Sequence, residues 1–330
     1  MFTTPLLCVT LLAPNAAPPS RAPEVSAADV RRGIGRSLPF LEKSSAAWRA
    51  DRKCVTCHQV PFAIWALNEA KGRGFAVDAG RLDDLTRWVF EFCVKDENKG
   101  EKTGGFHLTM AFLTLSQGAR TFRADVLDAY KFFEPLFAKQ QTADGSWRKG
   151  RQVRLDGAPR EADEVDTMWT VLAIRAMERH ADKLPVATRE GLAREQAKAL
   201  AFLKDAKPGR RIDWLALRLL VAPENTRPEL VEELRKQQNP DGGWGYVRGG
   251  ASYPHTTGEC LYALGTLGLT GDDPAVRRAW KYLLDAQRPD GSWKALSREN
   301  FGANPEKTHG VSVHWGTGWA TIGLLKTLPR

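Results

Sequence analysis

The feature that most constrains this chain is a short phrase written three times. Gln141-Thr-Ala-Asp144-Gly145-Ser146-Trp147, Gln238-Asn-Pro-Asp241-Gly242-Gly243-Trp244 and Gln287-Arg-Pro-Asp290-Gly291-Ser292-Trp293 all read Gln-x-x-Asp-Gly-small-Trp. Self-similarity of this kind marks a chain built from repeated supersecondary units. Each phrase follows an amphipathic helical run (124–139, 228–236, 274–286) and precedes a more apolar one (167–177, 257–267, 317–328). The Asp-Gly pair supplies a tight turn that ends the first helix. The Gln amide can satisfy backbone groups left unpaired at neighbouring helix ends while the indole packs on it.

The same alternation continues where the phrase is absent: 30–43 precedes 61–70, 81–94 precedes 108–117, and 189–204 precedes 213–221. That makes six helix pairs, with the inner helices starting roughly every 45 to 60 residues, as a closed ring of helical hairpins requires. Inner runs such as 168–177 and 321–328 are apolar nearly all round, the pattern of helices buried on two sides, whereas the outer runs carry one apolar stripe. The expectation is an all-α fold, a single α/α toroid over residues 27–330 around a central cavity. Loops leading into the inner helices are long and Gly-rich (245–256, 294–315), which places any site on that rim.

The three phrases resemble the Gln-Trp repeats of squalene-hopene cyclases and the related repeats of protein prenyltransferase β subunits, over about residues 27 to 330. The resemblance implies the toroid, and isoprenoid chemistry in its cavity. In the cyclases an Asp-x-Asp-Asp-Thr-Ala motif delivers the proton from its middle Asp; the matching stretch here is Asp163-Glu164-Val165-Asp166-Thr167-Met168. Val165 stands in the donor's place and has no proton to give. With a length about half that of a two-domain triterpene cyclase, this argues against squalene cyclisation as such. Asp163, Glu164 and Asp166 are left as candidate catalytic acids or diphosphate-Mg²⁺ ligands, or as charges favoured by the positive end of a helix dipole. Trp169, Trp315 and Trp319 are candidate cavity rings that shield a carbocation, or packing between helices. The prenyltransferase resemblance implies a zinc ion held by Asp, Cys and His. Cys260, His255 and His314 are of the right type, but the Asp-x-Cys pair has no match, and a thiol packed in the interior is the alternative.

A second motif, Cys54-Val-Thr-Cys57-His58, stands just ahead of the first inner helix. Cys-x-x-Cys-His is the attachment sequence of c-type haem, in which two thiols bond the porphyrin and the imidazole takes one axial position. A Cys54–Cys57 disulfide or half of a zinc site are the alternatives. A haem on the rim would find its sixth ligand in His107, His255, His309 or His314. Upstream, the apolar stretch 5–13, Asn15-Ala16-Ala17 and a Pro/Ala-rich spacer have the form of a secretory signal, without the positive leading segment. Residues 1–26 are therefore expected to be a signal peptide and spacer, and the protein periplasmic or extracellular. Haem attachment happens outside the cytoplasm, so the two expectations agree. Exported bacterial proteins that join this motif to Gln-Trp repeats resemble the chain throughout.

Charge narrows the partners. The 48 Lys and Arg exceed the 39 Asp and Glu, for a net +9, but the two signs are interspersed along the helices, which argues against nucleic acid. No apolar run approaches the ~20 residues needed to span a bilayer. The expected partners are an apolar or extended small molecule in the cavity, a redox partner if haem is bound, and peripheral membrane contact. Three functions fit: an exported ligand-binding module with a haem or other redox or metal centre at the rim, an isoprenoid-processing cyclase or zinc-dependent prenyltransferase-like enzyme, and a protein-binding scaffold.

Overall fold

A computed structural model of the chain describes residues 25–52, 55, 59–94, 106–117, 124–148, 159–294 and 305–330. The expected segment 1–26 lies almost wholly outside the described residues, as do Cys54, Cys57 and His58. Twelve α-helices follow in order: α1 (Ala27–Arg52), α2 (Val60–Gly72), α3 (Ala79–Val94), α4 (Phe106–Ser116), α5 (Ala124–Gln140), α6 (Pro159–Glu178), α7 (Val186–Lys204), α8 (Ile212–Val221), α9 (Arg227–Lys236), α10 (Pro254–Thr266), α11 (Pro274–Ala286) and α12 (Pro305–Thr327). Among the described residues none of these helices is long and apolar enough to cross a membrane.

The even-numbered helices form a closed inner ring, each packed on the next and α12 packed back on α2. The odd-numbered helices sit outside, over the seams. The sequence explains the division. On α11, Ala275, Val276, Ala279, Trp280 and Leu283 are buried, one stripe at helical spacing, whereas α8 buries every residue but Arg218. Pro274 opens α11 and the Asp273 carboxylate caps it, accepting from the Ala275 and Val276 amides.

Two inner helices begin earlier than the apolar pattern predicts: α6 at Pro159 rather than near 167, and α12 at Pro305 rather than near 317. Each starts at a proline, whose missing N–H costs nothing in a first turn. The polar first turns of α6 are tolerated because their side chains find partners on α8, as set out below. Asp163, Glu164 and Asp166 therefore lie in the second turn of α6 rather than at its tip.

The three Gln-Trp phrases work as staples. In each, the indole Nε1 donates to a carbonyl in the last turn of the preceding outer helix: Trp147 to Phe137 at 2.9 Å, Trp244 to Leu234 at 2.8 Å, Trp293 to Leu283 at 2.7 Å. The backbone N–H of the same tryptophan donates to a threonine of the following inner helix: Thr167, Thr257 and Thr317. The Gln amide spans its own turn and reaches the next outer helix, from Gln141 to Glu195 O, Gln238 to Ala275 O and Gln287 to Gly33 O, each at 2.8 Å. Gly145, Gly242 and Gly291 hold φ between 82° and 91°. A Cβ at any of them would overlap the backbone carbonyl of Lys198, Arg278 or Arg36 on that next helix. One phrase thus joins three helices, and the third joins the chain's end to its beginning.

Candidate functional site

The inner ring is lined by aromatic rings that meet on its axis. Phe62 and Trp65 come from α2, Phe112 from α4, Trp169 from α6, Tyr262 from α10 and Trp319 from α12. Ring centroids lie 4.8 Å apart for Phe62–Phe112, 5.3 Å for Phe112–Trp169, 5.4 Å for Trp169–Trp319 and 5.1 Å for Trp65–Tyr262. These tilted and edge-on pairings are the favourable ones. The indole N–H groups of Trp65 and Trp319 are buried without a hydrogen-bond partner.

Helix α8 supplies no ring to this cluster. Beside it, Trp169, Asp213, Ala216, Leu217, Leu220, Glu259, Tyr262 and Ala263 line a narrow space at no point wide enough for a water molecule. The centre of the toroid is therefore dry and largely filled by side chains, because five inner helices each send a large ring to the same axis.

Two acidic residues border that space, Asp213 at the start of α8 and Glu259 in the second turn of α10, and only apolar atoms open onto it. Asp213 is fully engaged. The Arg211 Nε donates to its Oδ1 at 2.8 Å, the Arg211 Nη2 to its Oδ2, and the Trp214 amide to its Oδ1 at 2.8 Å. Arg211 is 1% exposed, its guanidinium lies 5.1 Å over the Tyr246 ring, and its amide donates to Glu161 Oε1 at 2.7 Å. Burial alone would lower its pKa, but the Asp213 carboxylate outweighs that and raises it. Glu259 is different. No described group hydrogen-bonds its carboxyl, and burial, reinforced by the charge of Asp213 and opposed by Arg211, pushes its pKa well up.

The residues named from the sequence are dispersed around this cluster. Asp163 faces outward, 3.8 Å from the Arg148 guanidinium with its side chain 14% exposed. Glu164 is locked, ion-paired to Arg160 at 3.0 Å and accepting the Trp214 indole N–H at 2.6 Å. Asp166 is 1% exposed and acts electrostatically on Arg211. The three do not form one acid or one diphosphate site, because a helical turn points them to three different neighbours. Trp169 and Trp319 reach the axis, whereas Trp315 lies against the His255 ring at 4.7 Å. Phe62, Trp65, Phe112, Tyr262, Asp213, Arg211 and Glu259 were not singled out. The signal for the last was available: an acidic residue inside an otherwise buried inner helix.

Cys260, His255 and His314 are each fully buried, and among the described residues no group of three or more His, Cys, Asp and Glu could hold a metal ion. The expected zinc triad is corrected on that ground. Both His314 nitrogens are used, Nε2 donating to Gln59 O at 2.7 Å and Nδ1 accepting from Ser44 Oγ at 2.6 Å. This neutral imidazole, its pKa lowered by burial to about 4, has no lone pair left for iron. His107 Nδ1 lies 3.2 Å from Gln140 Oε1 and His255 Nε2 lies 3.1 Å from Thr256 Oγ1, so each keeps one nitrogen without a partner. Burial lowers their pKa values to about 4 and about 3. The His309 side chain, like Cys54, Cys57 and His58, lies outside the described residues.

Residues 204–328, which carry α8 to α12, match the model of the squalene-hopene cyclase C-terminal domain family. The chain is 33% identical over 99 residues to a probable squalene–hopene cyclase of Sinorhizobium fredii and 41% identical over 101 residues to the squalene–hopene cyclase of Bradyrhizobium diazoefficiens. Each match covers 29% of this chain but only 15% and 14% of those proteins. Among solved structures, a possible member of the GH105 family from Salmonella enterica superposes with a TM-score of 0.60 at 12% identity, covering 97% of this chain and 99% of that one. A variant of the type II terpene cyclase MstE from Scytonema, solved with geranylgeranyl dihydroxybenzoate, superposes with a TM-score of 0.53 at 12% identity, covering 92% and 98%. At such identities the structural likeness establishes the α/α toroid and nothing of the chemistry.

Proposed function

We propose that this chain is an isoprenoid cyclase-like enzyme that draws one end of an apolar polyene chain into the aromatic bore and closes a ring by protonating it. The observation that carries the reading is the convergence of Phe62, Trp65, Phe112, Trp169, Tyr262 and Trp319 on one axis. Aromatic faces stabilise a carbocation and keep water from quenching it. The space between these rings is nowhere wide enough for a water molecule, so on this reading the lining side chains move apart to admit a chain end. Support also comes from the match over residues 204–328, since that segment supplies three of the six inner helices. Incubating the purified protein with farnesyl and geranylgeranyl diphosphates, their alcohols and squalene tests the reading. A cyclic product is expected from at least one of them, and no product from any of them overturns it.

The Cys-Val-Thr-Cys-His string at 54–58 favours a second reading, an exported protein with covalent haem on the rim. Its test is a pyridine haemochrome spectrum of protein made with cytochrome c maturation factors, in which absence of a covalent haem band sinks the idea.

A further inference from the structure

The three Gln-Trp joints share one plan, and the first departs from it. In the second joint the Arg278 Nη2 donates to Gln238 Oε1, and in the third the Arg36 Nη2 donates to Gln287 Oε1. Each arginine stands on the next outer helix, at the residue whose carbonyl the phrase glycine approaches. In the first joint that residue is Lys198 of α7, and Gln141 Oε1 is buried with no hydrogen-bond partner. A second difference lies three residues earlier. The Gln Nε2 donates to the carbonyl of Ala275 or Gly33 in the later joints, but to that of Glu195 in the first. Where the others carry a methyl group or a hydrogen, this joint carries a carboxyl. Glu195 is 3% exposed, and its Oε2 has no partner.

We propose that the α5–α7 joint is closed by a proton, shared between Glu195 of α7 and Glu134 of α5, where the other two joints are closed by an arginine. This is a property of the ring itself, whatever the bore accepts. The Glu134 carboxyl rests on Gly191 of α7, where a Cβ would overlap its Oε1. Helical side chains lean toward the N-terminus of their helix, so Glu195 leans over the turn that begins at Gly191, toward the same spot. The bare glycine leaves the room in which two carboxyls meet. With both ionised, two negative charges face each other at a part-buried seam, with no described donor bonded to either. One proton, taken from water, makes Glu195 a donor and Glu134 its acceptor, and removes the repulsion and the orphan oxygen together.

The surrounding charges agree with that placement. Burial pushes the Glu195 pKa up, the Glu134 charge adds to the rise, and Arg194 and Lys198 of α7 oppose it. Burial also raises Glu134, against Arg194. The charges on the other neighbouring elements are engaged elsewhere. Glu178 of α6 accepts from Gln196 Nε2 at 3.1 and 3.2 Å, and Asp144 of the phrase is paired with Arg148. An acid whose folded pKa is raised holds its proton more firmly in the folded chain than in the unfolded one. Its contribution to stability is complete below the ordinary value of 4.5, is lost as pH rises through the folded value, and is constant above. The joint is therefore tight in acid and slack in base.

The test uses the full chain and Glu195→Gln, whose amide N–H stands in for the carboxyl O–H at every pH. At pH 8 the variant should unfold at a higher denaturant concentration than wild type, and the difference should close by pH 4. Amide exchange in α5 and α7, corrected for its intrinsic pH dependence, should quicken from pH 4 to pH 8 in wild type and not in the variant. A variant less stable than wild type at pH 8 means that the Lys198 or Arg194 cation fills the place, and it overturns the proposal. So does stabilisation of wild type by calcium at pH 8 that Glu195→Gln lacks, since a metal ion would then hold the two carboxylates. Glu134→Gln removes the repulsion and should weaken the pH dependence. A dependence kept in full by Glu195→Gln but lost in Glu134→Gln puts the proton on the wrong residue and overturns the assignment.

Discussion

The two ends of the chain build the same helix pairs by different means. The last two pairs, α9–α12, are joined by Gln-Trp phrases, and their inner helices touch backbone to backbone. A Cβ on Gly258 of α10 would overlap the Trp319 carbonyl of α12, one on Gly323 would overlap the Gly258 carbonyl, and one on Gly265 would come within 2.7 Å of the Lys326 carbonyl carbon. The first two pairs, α1–α4, have no phrase. There α2 meets α4 through the Phe62 and Phe112 rings and a hydrogen bond from Asn68 Nδ2 to Ser116 O at 2.8 Å. The α1–α2 pair is anchored from the far end of the chain, by His314 to Ser44 and Gln59 and by Arg73 to the last turn of α12. Local repetition builds the C-terminal pairs, and long-range polar contacts to α12 complete the N-terminal ones.

The largest effect should come from widening the tight seam. Gly258→Ala forces two helix backbones apart and is expected to destabilise by about 3 kcal/mol, the upper range for overpacking, read as a lower denaturant midpoint with an unchanged slope. Gly35→Ala is the matched control, since a Cβ at this exposed position within α1 meets nothing within 4 Å. It should stabilise by about 0.5–1 kcal/mol. Equal effects at the two glycines would show that the seams do not differ.

Titration probes the loose end. Burial holds His107 and His314 neutral, with pKa values of about 4 against an ordinary 6.5. A histidine with a lowered folded pKa leaves the unfolded chain binding more protons below pH 6.5. Its contribution is therefore complete above that pH, drains away as pH falls toward 4, and is constant below. Each should account for about 3 kcal/mol over that window. Glu259 and Glu161, raised chiefly by burial, act in the opposite sense as pH rises above the ordinary carboxylate range, so the comparison must be between variants. His314→Gln should flatten the stability curve between pH 4 and 6.5. A slope as steep as that of wild type would mean that this imidazole is not what holds α12 to the first pair.

Much of this was legible in the sequence because the signals were periodic. All six pairs were placed, and most helix ends lie within a few residues of the apolar pattern, since burial on one face or two leaves different spacings. The starts of α6 and α12 were missed because periodicity cannot see polar turns whose partners, such as Trp214 for Glu164, lie 50 residues away. Most of the axial rings were missed for a related reason. A motif match drew notice to Asp163, Glu164 and Asp166, whereas Phe62, Trp65, Phe112 and Tyr262 meet Trp169 and Trp319 only through closure of the ring. The filling of the centre follows from helix rotation, which no single run of sequence encodes.

The third staple is the joint between the two ends, and weakening it should cost less than either change above. Gln287→Ala removes the donor to both Gly33 O and Gly291 O, leaving part-buried carbonyls unsatisfied at about 1–2 kcal/mol in total. Gln238→Ala, which loses the equivalent pair to Ala275 O and Gly242 O, should match it in stability. Only the Gln287 change should also speed amide exchange in α1, because only that staple crosses from chain end to chain beginning. Equal exchange in the two variants would mean that ring closure does not depend on the phrase.

The smallest expected effect tests whether the α2–α4 seam depends on its side-chain hydrogen bond at all. Asn68 donates from α2 to the Ser116 carbonyl, an acceptor at the C-terminus of α4 with no partner in its own helix. Asn68→Ala should destabilise by about 1 kcal/mol, a third of the loss at Gly258, and Asn68→Asp by more, since a carboxylate cannot donate to a carbonyl. If Asn68→Asp is instead as stable as wild type, the Phe62–Phe112 contact alone holds the seam. The N-terminal pairs would then be joined, like the C-terminal ones, chiefly by packing.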